Sequence, residues 1–283
     1  MEIGKVGVVG CGLMGSGIAE VCARAGYEVI VREVNDKLLQ KGLGHIKNSL
    51  AKAVARGKAT QNQADQALAR VRGALNLKNF ADCDLVVEAA IENIAVKKEI
   101  FAELDRILPP HAILASNTSS LCLTEMASVT QRGDKVLGIH FFNPVPVMPL
   151  IEFVRTILTS DETMELAHQF GASLGKTMVT AKDTPGFIVN RLLIPYILDA
   201  VRIYEDGLAS KEDIDTAIKL GLNHPMGPLT LLDFVGLDTC LFIADAMYEE
   251  YKDPRYAAPP LLRRMVLAGH LGRKTGKGFY DYE

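Results

Sequence analysis

Val6 to Val9, a short β-branched run, breaks at Gly10-Cys11-Gly12-Leu13-Met14-Gly15 and continues into a helix-forming stretch from Ser16 to Ala25. A second β-branched run, Glu28-Val29-Ile30-Val31-Arg32, stops at the acid Glu33. Few architectures accept this order. A strand that passes through a glycine-rich turn into a helix and returns to a second strand predicts a βαβ unit in a doubly wound parallel sheet. Gly10 permits the tight turn, Gly12 lets backbone approach a phosphate, and Gly15 lets the helix pack close to the strand. Cys11, Leu13 and Met14 fill the turn between them, and at Cys11 a small residue suffices. Amides at the helix start meet the charge of a pyrophosphate, and the Glu33 carboxylate accepts from ribose hydroxyls, so a dinucleotide is the expected ligand. Glu33 also repels a ribose 2′-phosphate, which favours NAD over NADP, although Arg32 would accommodate that phosphate if it turned inward.

A chain of 283 residues exceeds the commonest single-domain size, and two domains are expected, 1–184 and 185–283. Asp84 to Glu88, Ala112 to Ala115 and Lys135 to Ile139 read as further buried strands, with Ile94 to Leu108 a helix closed by Pro109-Pro110. After Pro185-Gly186 the strand alternation is lost, and helices are predicted over 187–204, 211–220, 228–251 and 260–267. The fold class is therefore α/β, a Rossmann-type doubly wound parallel sheet domain followed by an all-α C-terminal domain. The segment from Phe187 to Tyr204 is apolar nearly all round, which in a small helical domain predicts packing against a second subunit, a homodimer. Gly269 to Gly278 reads as a flexible surface loop, with Phe279 to Tyr282 docking on something apolar.

The charge balance, 31 basic against 34 acidic residues, gives no reason to expect nucleic acid or an anionic membrane surface as partner. Five cysteines, Cys11, Cys22, Cys83, Cys122 and Cys240, are widely spaced with no metal-ligand pattern and read as reduced, buried thiols. No apolar run reaches the ~18 residues of a membrane span, and the first strand begins too soon for a cleavable leader, so a soluble cytoplasmic protein is expected.

Candidate chemistry lies beyond the strand ends, where ligands of such sheets bind. Glu92, Lys97, Ser116 to Ser120 and His140 all sit there. His140 closes an apolar run, and Glu152 returns a carboxylate from inside the next one. A carboxylate that orients an imidazole makes a general base. Such a base would remove the proton of an alcohol as its hydride leaves for a nicotinamide. Ser119 and Asn190 supply neutral hydrogen bonders, one from a loop and one from the second domain. His45, His111, His168, His224 and His270 are expected to be structural or solvated. A serine hydrolase built on Ser119 and His140 lacks a G-x-S-x-G elbow and leaves the dinucleotide unit without a use. In the long helix from Asp36 to Gly57, one face carries Leu39, Leu43, Ile46, Leu50 and Val54, while Ser49, Lys52 and Arg56 share another. Taken alone, that second face is a solvated basic surface.

Gly10 to Ala19, Ala115-Ser116-Asn117-Thr118-Ser119-Ser120-Leu121, His140-Phe141-Phe142-Asn143-Pro144, Pro185 to Arg191, His224-Pro225-Met226-Gly227-Pro228 and Gly276-Lys277-Gly278-Phe279-Tyr280 stand in the order found in one family. With these motifs the chain resembles the L-3-hydroxyacyl-CoA dehydrogenases over almost its whole length, most of all the short bacterial members that act on 3-hydroxybutyryl-CoA. The resemblance implies an N-terminal NAD-binding domain, a helical C-terminal domain that forms a dimer, and oxidation of (3S)-3-hydroxyacyl-CoA to 3-oxoacyl-CoA. His140 matches the proton acceptor and Glu152 the residue that holds its tautomer; Ser119 and Asn190 match groups on the substrate oxygens. Glu92, Lys97, Asn143 and Lys274 match cofactor contacts, with Glu33 on the ribose. Ser49, Lys52 and Arg56 match positions that meet the CoA nucleotide, which gives the basic face a second meaning. A sugar-acid dehydrogenase of the gulonate type would share the fold and the catalytic pair without needing that face, and a non-catalytic NAD-binding protein would not need His140 with Glu152.

Overall fold

Val6 to Val9, Leu85 to Glu88, Ile113 to Ser116 and Val136 to Phe141 are buried on both sides, so their near-continuous apolar runs can only be satisfied inside a sheet covered on two faces. The computed structural model describes residues 3–282, and the chain divides between Thr184 and Pro185 into two compact units. The first unit contains β1 (Lys5–Val9), α1 (Leu13–Arg24), β2 (Glu28–Arg32), α2 (Asp36–Ala55), α3 (Gln61–Ala69), β3 (Val71–Ala74), β4 (Leu85–Glu88) and α4 (Ile94–Ile107). It continues with β5 (Ile113–Ser116), α5 (Leu123–Ala127), β6 (Val136–Phe141), β7 (Leu150–Arg155), α6 (Asp161–Ser173) and β8 (Thr177–Lys182).

These strands form one sheet in the order β3-β2-β1-β4-β5-β6-β7-β8. The first six run parallel, as the βαβ pattern predicts. The last two depart from it: β7 is antiparallel to β6, and β8 pairs parallel with β7. The reason is chain length. Residues 142–149 are too few for the crossover of a dozen or more that a parallel neighbour requires, whereas α6 supplies one between β7 and β8. The reversal places His140 directly opposite Glu152 in the ladder. Strand β6 also runs through Phe141, so His140 lies within the strand rather than past its end.

α2 buries Leu39, Ile46 and Leu50 and ends before Gly57, whose φ of 67° suits a residue without Cβ. Cys11, Cys22, Cys83 and Cys240 are buried as expected, but Cys122 is exposed, next to Asp183. Among the described residues, no helix is long and apolar enough to cross a membrane.

The second unit packs α7 (Val189–Glu205), α8 (Lys211–Gly221), α9 (Pro228–Val235), α10 (Leu237–Tyr251) and α11 (Pro260–Leu267) around Ile197, Leu198, Val201, Leu232, Cys240 and Met247. The single helix predicted over 228–251 is two, because Gly236 takes a φ of 105° between them. α7 is less uniformly buried than its sequence suggests, with Ile194, Ile197 and Val201 inside and Leu192 and Ile203 exposed. The segment from Gly269 onward is not a free loop. Asp233 accepts the amides of Phe279 at 2.8 Å and Tyr280 at 2.9 Å and the Tyr282 hydroxyl at 2.9 Å. Gly272 and Gly278 press against that same aspartate, where a Cβ on either would collide. Phe279 is itself buried against Tyr204, the apolar docking expected of it.

Candidate active site

The glycine-rich turn has the three properties its sequence requires. Gly10 adopts a φ of 93°, and a Cβ there would lie 2.6 Å from the Ala89 carbonyl oxygen. A Cβ on Gly15 would stand 1.9 Å from the Gly10 carbonyl oxygen, so the helix sits where only glycine permits it. Around Gly12 the space is open, as a backbone meant to face a ligand needs. Within the sheet unit, α2, α3, α4 and α6 are capped by Asn35, Thr60, Asn93 and Ser160, and Asp183 accepts the first amides of α5. α1 has no side-chain cap. An uncapped helix start beneath an open glycine is a fitting seat for a pyrophosphate.

Glu33 is fixed at the end of β2. Its Oε1 accepts the Cys11 amide at 2.7 Å and its Oε2 the Val34 amide at 3.0 Å, leaving further lone pairs for hydroxyl donors. The Cys11 side chain points away from the turn into the contact with Gly42 of α2, and burial, then the Glu33 charge, push its thiol up to about 12. Arg32 donates its Nε to the Leu75 carbonyl at 3.3 Å. Leu13 and Gly12 are exposed at the mouth of the turn, with Met14 half-buried behind them.

Across the sheet, His140 Nδ1 lies 2.7 Å from Glu152 Oε2. Glu152 is fully buried and the imidazole nearly so. With the carboxylate on Nδ1, the neutral ring carries its proton on that nitrogen and its lone pair on Nε2, an assignment made from the hydrogen bond. Phe142 packs against the ring at 4.6 Å between centroids. Three other histidines have structural partners: His111 meets Asp84, His168 meets Thr180 and His224 meets Tyr196.

Between these two centres, a network of side chains fills the carboxyl ends of β4 and β5. Lys97 is 1% exposed, and its ammonium binds Glu88 at 2.7 Å and Glu92 at 3.2 Å. Its observed work is thus to pair with two carboxylates, and a cofactor contact must use the remaining N–H. Glu92 Oε1 accepts the Thr118 hydroxyl at 3.0 Å and the Ser119 amide at 3.1 Å. Asn117 accepts the Phe141 amide at 2.9 Å, which ties the loop of Ser119 to the strand of His140. Asn143 is exposed in the turn after β6, and Lys176 holds that turn through the carbonyls of Val145 at 2.7 Å and Met148 at 2.6 Å.

On α2, Lys52 is exposed, and Arg56 is exposed as the residue that ends the helix. Ser49 differs from them in lying beside the carboxylate of Glu20, which is 1% exposed and whose ionised form it helps to stabilise. In the helical unit, Asn190 is buried in the first turn of α7, and Lys274 pairs with Asp238 Oδ2 at 2.6 Å. A cavity of about 530 Å³ in the sheet unit lies away from the strand ends; Ile3, Ala25, Tyr27 and Phe170 line it, near the start of β2.

The description 3-hydroxyacyl-CoA dehydrogenase, NAD binding domain, matches residues 5–184, and 3-hydroxyacyl-CoA dehydrogenase, C-terminal domain, matches residues 186–282. The chain belongs to this family. Within it, the chain is 52% identical over 282 residues to a 3-hydroxybutyryl-CoA dehydrogenase of Mycobacterium tuberculosis, covering 99% of each. The crystal structure of FadB2 from that organism superposes with a TM-score of 0.99 at 52% identity over the full length of both chains. The (S)-3-hydroxybutyryl-CoA dehydrogenase PaaH1 of Ralstonia eutropha gives 0.95 at 45% identity, again over both full chains.

As a member of this family the chain has a nicotinamide-binding domain, and this unit holds further buried or bridging polar contacts that the sequence alone does not single out. In the sequence Glu88 is only the end of a strand, since nothing local distinguishes a buried acid from a terminal one. Lys176 had no signal in its surroundings, because its partners lie about thirty residues earlier in the chain. Asn117 already stands in the polar run Ser116 to Ser120 beyond a strand end, and only its partner, the Phe141 amide, is not legible there.

Proposed function

We propose that this protein interconverts (3S)-3-hydroxyacyl-CoA, above all 3-hydroxybutyryl-CoA, and the corresponding 3-oxoacyl-CoA with NAD(H). The observation that carries the reading is His140 Nδ1 on Glu152 Oε2 at 2.7 Å, in a sheet whose first helix starts uncapped. NAD, when bound, supplies the hydride acceptor. In the oxidative direction Nε2 of His140 takes the proton of the 3-hydroxyl, and Glu152 stabilises the imidazolium so formed. In the reverse direction the same imidazolium returns the proton. Ser119 and Asn190 are proposed to hydrogen-bond the substrate oxygens and so orient the hydroxyl toward His140.

Gly10, Gly12, Gly15 and the first turn of α1 would hold the pyrophosphate, and Glu33 the ribose. Glu92, Lys97, Asn143 and Lys274 are assigned to the cofactor by resemblance. NAD is favoured over NADP because both oxygens of Glu33 are pinned by backbone amides, which fixes negative charge where a 2′-phosphate would lie, while Arg32 is bonded to Leu75. Lys52 and Arg56 are available to the phosphates of the CoA nucleotide, with Ser49 beside them. A homodimer through the helical unit fits its exposed Leu192, Leu208 and Leu220.

Initial rates with 3-hydroxybutyryl-CoA and with gulonate, each with NAD and NADP, test this reading. Turnover of the thioester with NAD is expected, with at least about a tenfold advantage in kcat/KM over NADP, or ~1.4 kcal/mol. Turnover of gulonate alone would overturn the substrate assignment. A preference for NADP would mean that Arg32 outweighs Glu33.

A further inference from the structure

Glu88 closes β4 with no exposure and is surrounded by donors: the Ala90 amide at 2.6 Å, the Lys97 ammonium at 2.7 Å and the Ser116 hydroxyl at 2.6 Å. Two chains of hydrogen bonds run from it to the loop of Ser119. One passes through Ser116, whose oxygen accepts the Thr118 amide at 3.1 Å. The other passes through Lys97 to Glu92, which accepts the Thr118 hydroxyl and the Ser119 amide. The loop's third tie, from Asn117 to the Phe141 amide, fixes it to the residue after His140. The proposed substrate hydrogen bonder and the proposed base are therefore mounted on one frame, and both supports on the Ser119 side converge on Glu88.

We propose that Glu88 is the positioning residue that sets where Ser119 stands relative to His140, and that its negative charge is needed for this as well as its shape. The proposal rests on the reading of Ser119 and His140 as substrate groups. Its physical basis is the burial of Lys97. An ammonium with 1% exposure must be neutralised and hydrogen-bonded where it lies. With Glu88 present, the ammonium is shared between a fully buried carboxylate and Glu92, whose side chain is 31% exposed. With a neutral residue at 88, the attraction falls on Glu92 alone. Glu92 is then drawn toward Lys97, and the Thr118 and Ser119 groups bonded to it follow.

The test combines Glu88→Gln, Ser116→Ala and Ser119→Ala in the full-length protein. Glu88→Gln is expected to lower kcat for 3-hydroxybutyryl-CoA by about tenfold or more, with KM for the thioester within about threefold, since the loss lies in orientation rather than binding. In the Glu88→Gln/Ser119→Ala double variant the loss should be close to that of Ser119→Ala alone, because a displaced Ser119 has little left to lose. A merely structural role would instead give the product of the two losses. Hydrogen exchange of the 116–121 segment, read by mass spectrometry, supplies a measure independent of turnover. It should quicken by about tenfold in Glu88→Gln and less in Ser116→Ala, with β1 and β2 unchanged. Wild-type kcat in Glu88→Gln, multiplicative losses, or unaltered exchange in the loop would each overturn the proposal. If Glu88→Gln does not fold, Ser116→Ala, which leaves every charge paired, must show the same coupling and exchange to a smaller degree, or the proposal fails. If the wild-type enzyme turns over no hydroxyacyl thioester, the functional reading fails, and the exchange result still decides whether Glu88 holds the loop.

Discussion

Among the described residues, the sheet unit buries three glutamates, Glu20, Glu88 and Glu152, and the helical unit buries two aspartates, Asp215 and Asp233. The two sets face different partners. Each glutamate lies beside a side chain that carries or can take up charge: Arg24, Lys97 and His140. Each aspartate accepts backbone amides and hydroxyls, Asp215 from Leu229, Thr230 and Tyr280, and Asp233 from Phe279, Tyr280 and Tyr282. The shorter acid staples a chain segment to a helix. The longer one reaches across a ladder or a helix turn to a basic side chain. A buried carboxylate is thus informative about chemistry only once its partner is known, and the five residues invite separate treatment by mutation.

The largest effect is expected at His140. His140→Ala removes the group that Glu152 orients, and kcat should fall by about a thousandfold, equivalent to ~4 kcal/mol of transition-state stabilisation. Circular dichroism should remain that of the folded protein, since the ring is a small part of the core. A variant with near-native turnover would place the proton transfer elsewhere and put Glu152 among the staples.

Asp233→Ala should act on stability instead. It leaves the amides of Phe279 and Tyr280 and the Tyr282 hydroxyl without their acceptor, and an unsatisfied buried donor costs about 1–3 kcal/mol. The two tyrosines each sense one of these aspartates. Burial and then a hydrogen bond to Asp215 raise the Tyr280 phenol; burial and then a hydrogen bond to Asp233 push the Tyr282 phenol up to about 12. Urea unfolding should show about 3 kcal/mol lost. A loss below about 1 kcal/mol would mean that the segment after Gly269 is held by Phe279 packing, and that the aspartate is not a staple.

The contrast also marks how far the sequence can be read. Gly10, Gly12, Gly15 and Glu33 are legible because every step of a βαβ turn is local: Gly10 and Gly15 answer to contacts within a few residues or the adjoining strand, and Gly12 faces open space. The pairing of His140 with Glu152 follows from two apolar runs, but not the direction of β7, because a period of two is the same in parallel and antiparallel strands. Lys97, expected by resemblance to meet the cofactor, lies buried between Glu88 and Glu92; nothing near it in the chain reports that burial. The split at Gly236 was hidden by apolar residues on both sides that continue the helical pattern. The Gly269 to Gly278 segment was misread for the opposite reason. Its glycines suggest freedom, while here they permit close approach to Asp233, far away in sequence.

Glu20 gives the smallest effect and the sharpest division between the two kinds of acid. It sits on α1 with 1% exposure, its Oε1 3.6 Å from Arg24, and burial raises its pKa despite the opposing help of Ser49 and Arg24. A raised folded pKa means that the folded state holds its proton more tightly than the unfolded chain. Its stabilising contribution is therefore full below the unfolded value, about 4.3, and is lost as pH rises through the folded one. Arg24 is more than a third exposed, so solvent weakens its attraction and does not cancel the desolvation cost. Glu20→Gln cannot ionise and should raise the midpoint of thermal unfolding at pH 7.5, by about 1 kcal/mol or roughly 2–4 °C. That advantage should shrink to nothing by about pH 3, where the wild-type carboxyl is protonated in both states. Thermal unfolding of both proteins between these limits measures it. If Glu20→Gln is less stable at pH 7.5, then the charge itself holds α1 and α2 together through Arg24 and Ser49, and Glu20 belongs with Glu88 as an acid whose ionised form the sheet unit requires.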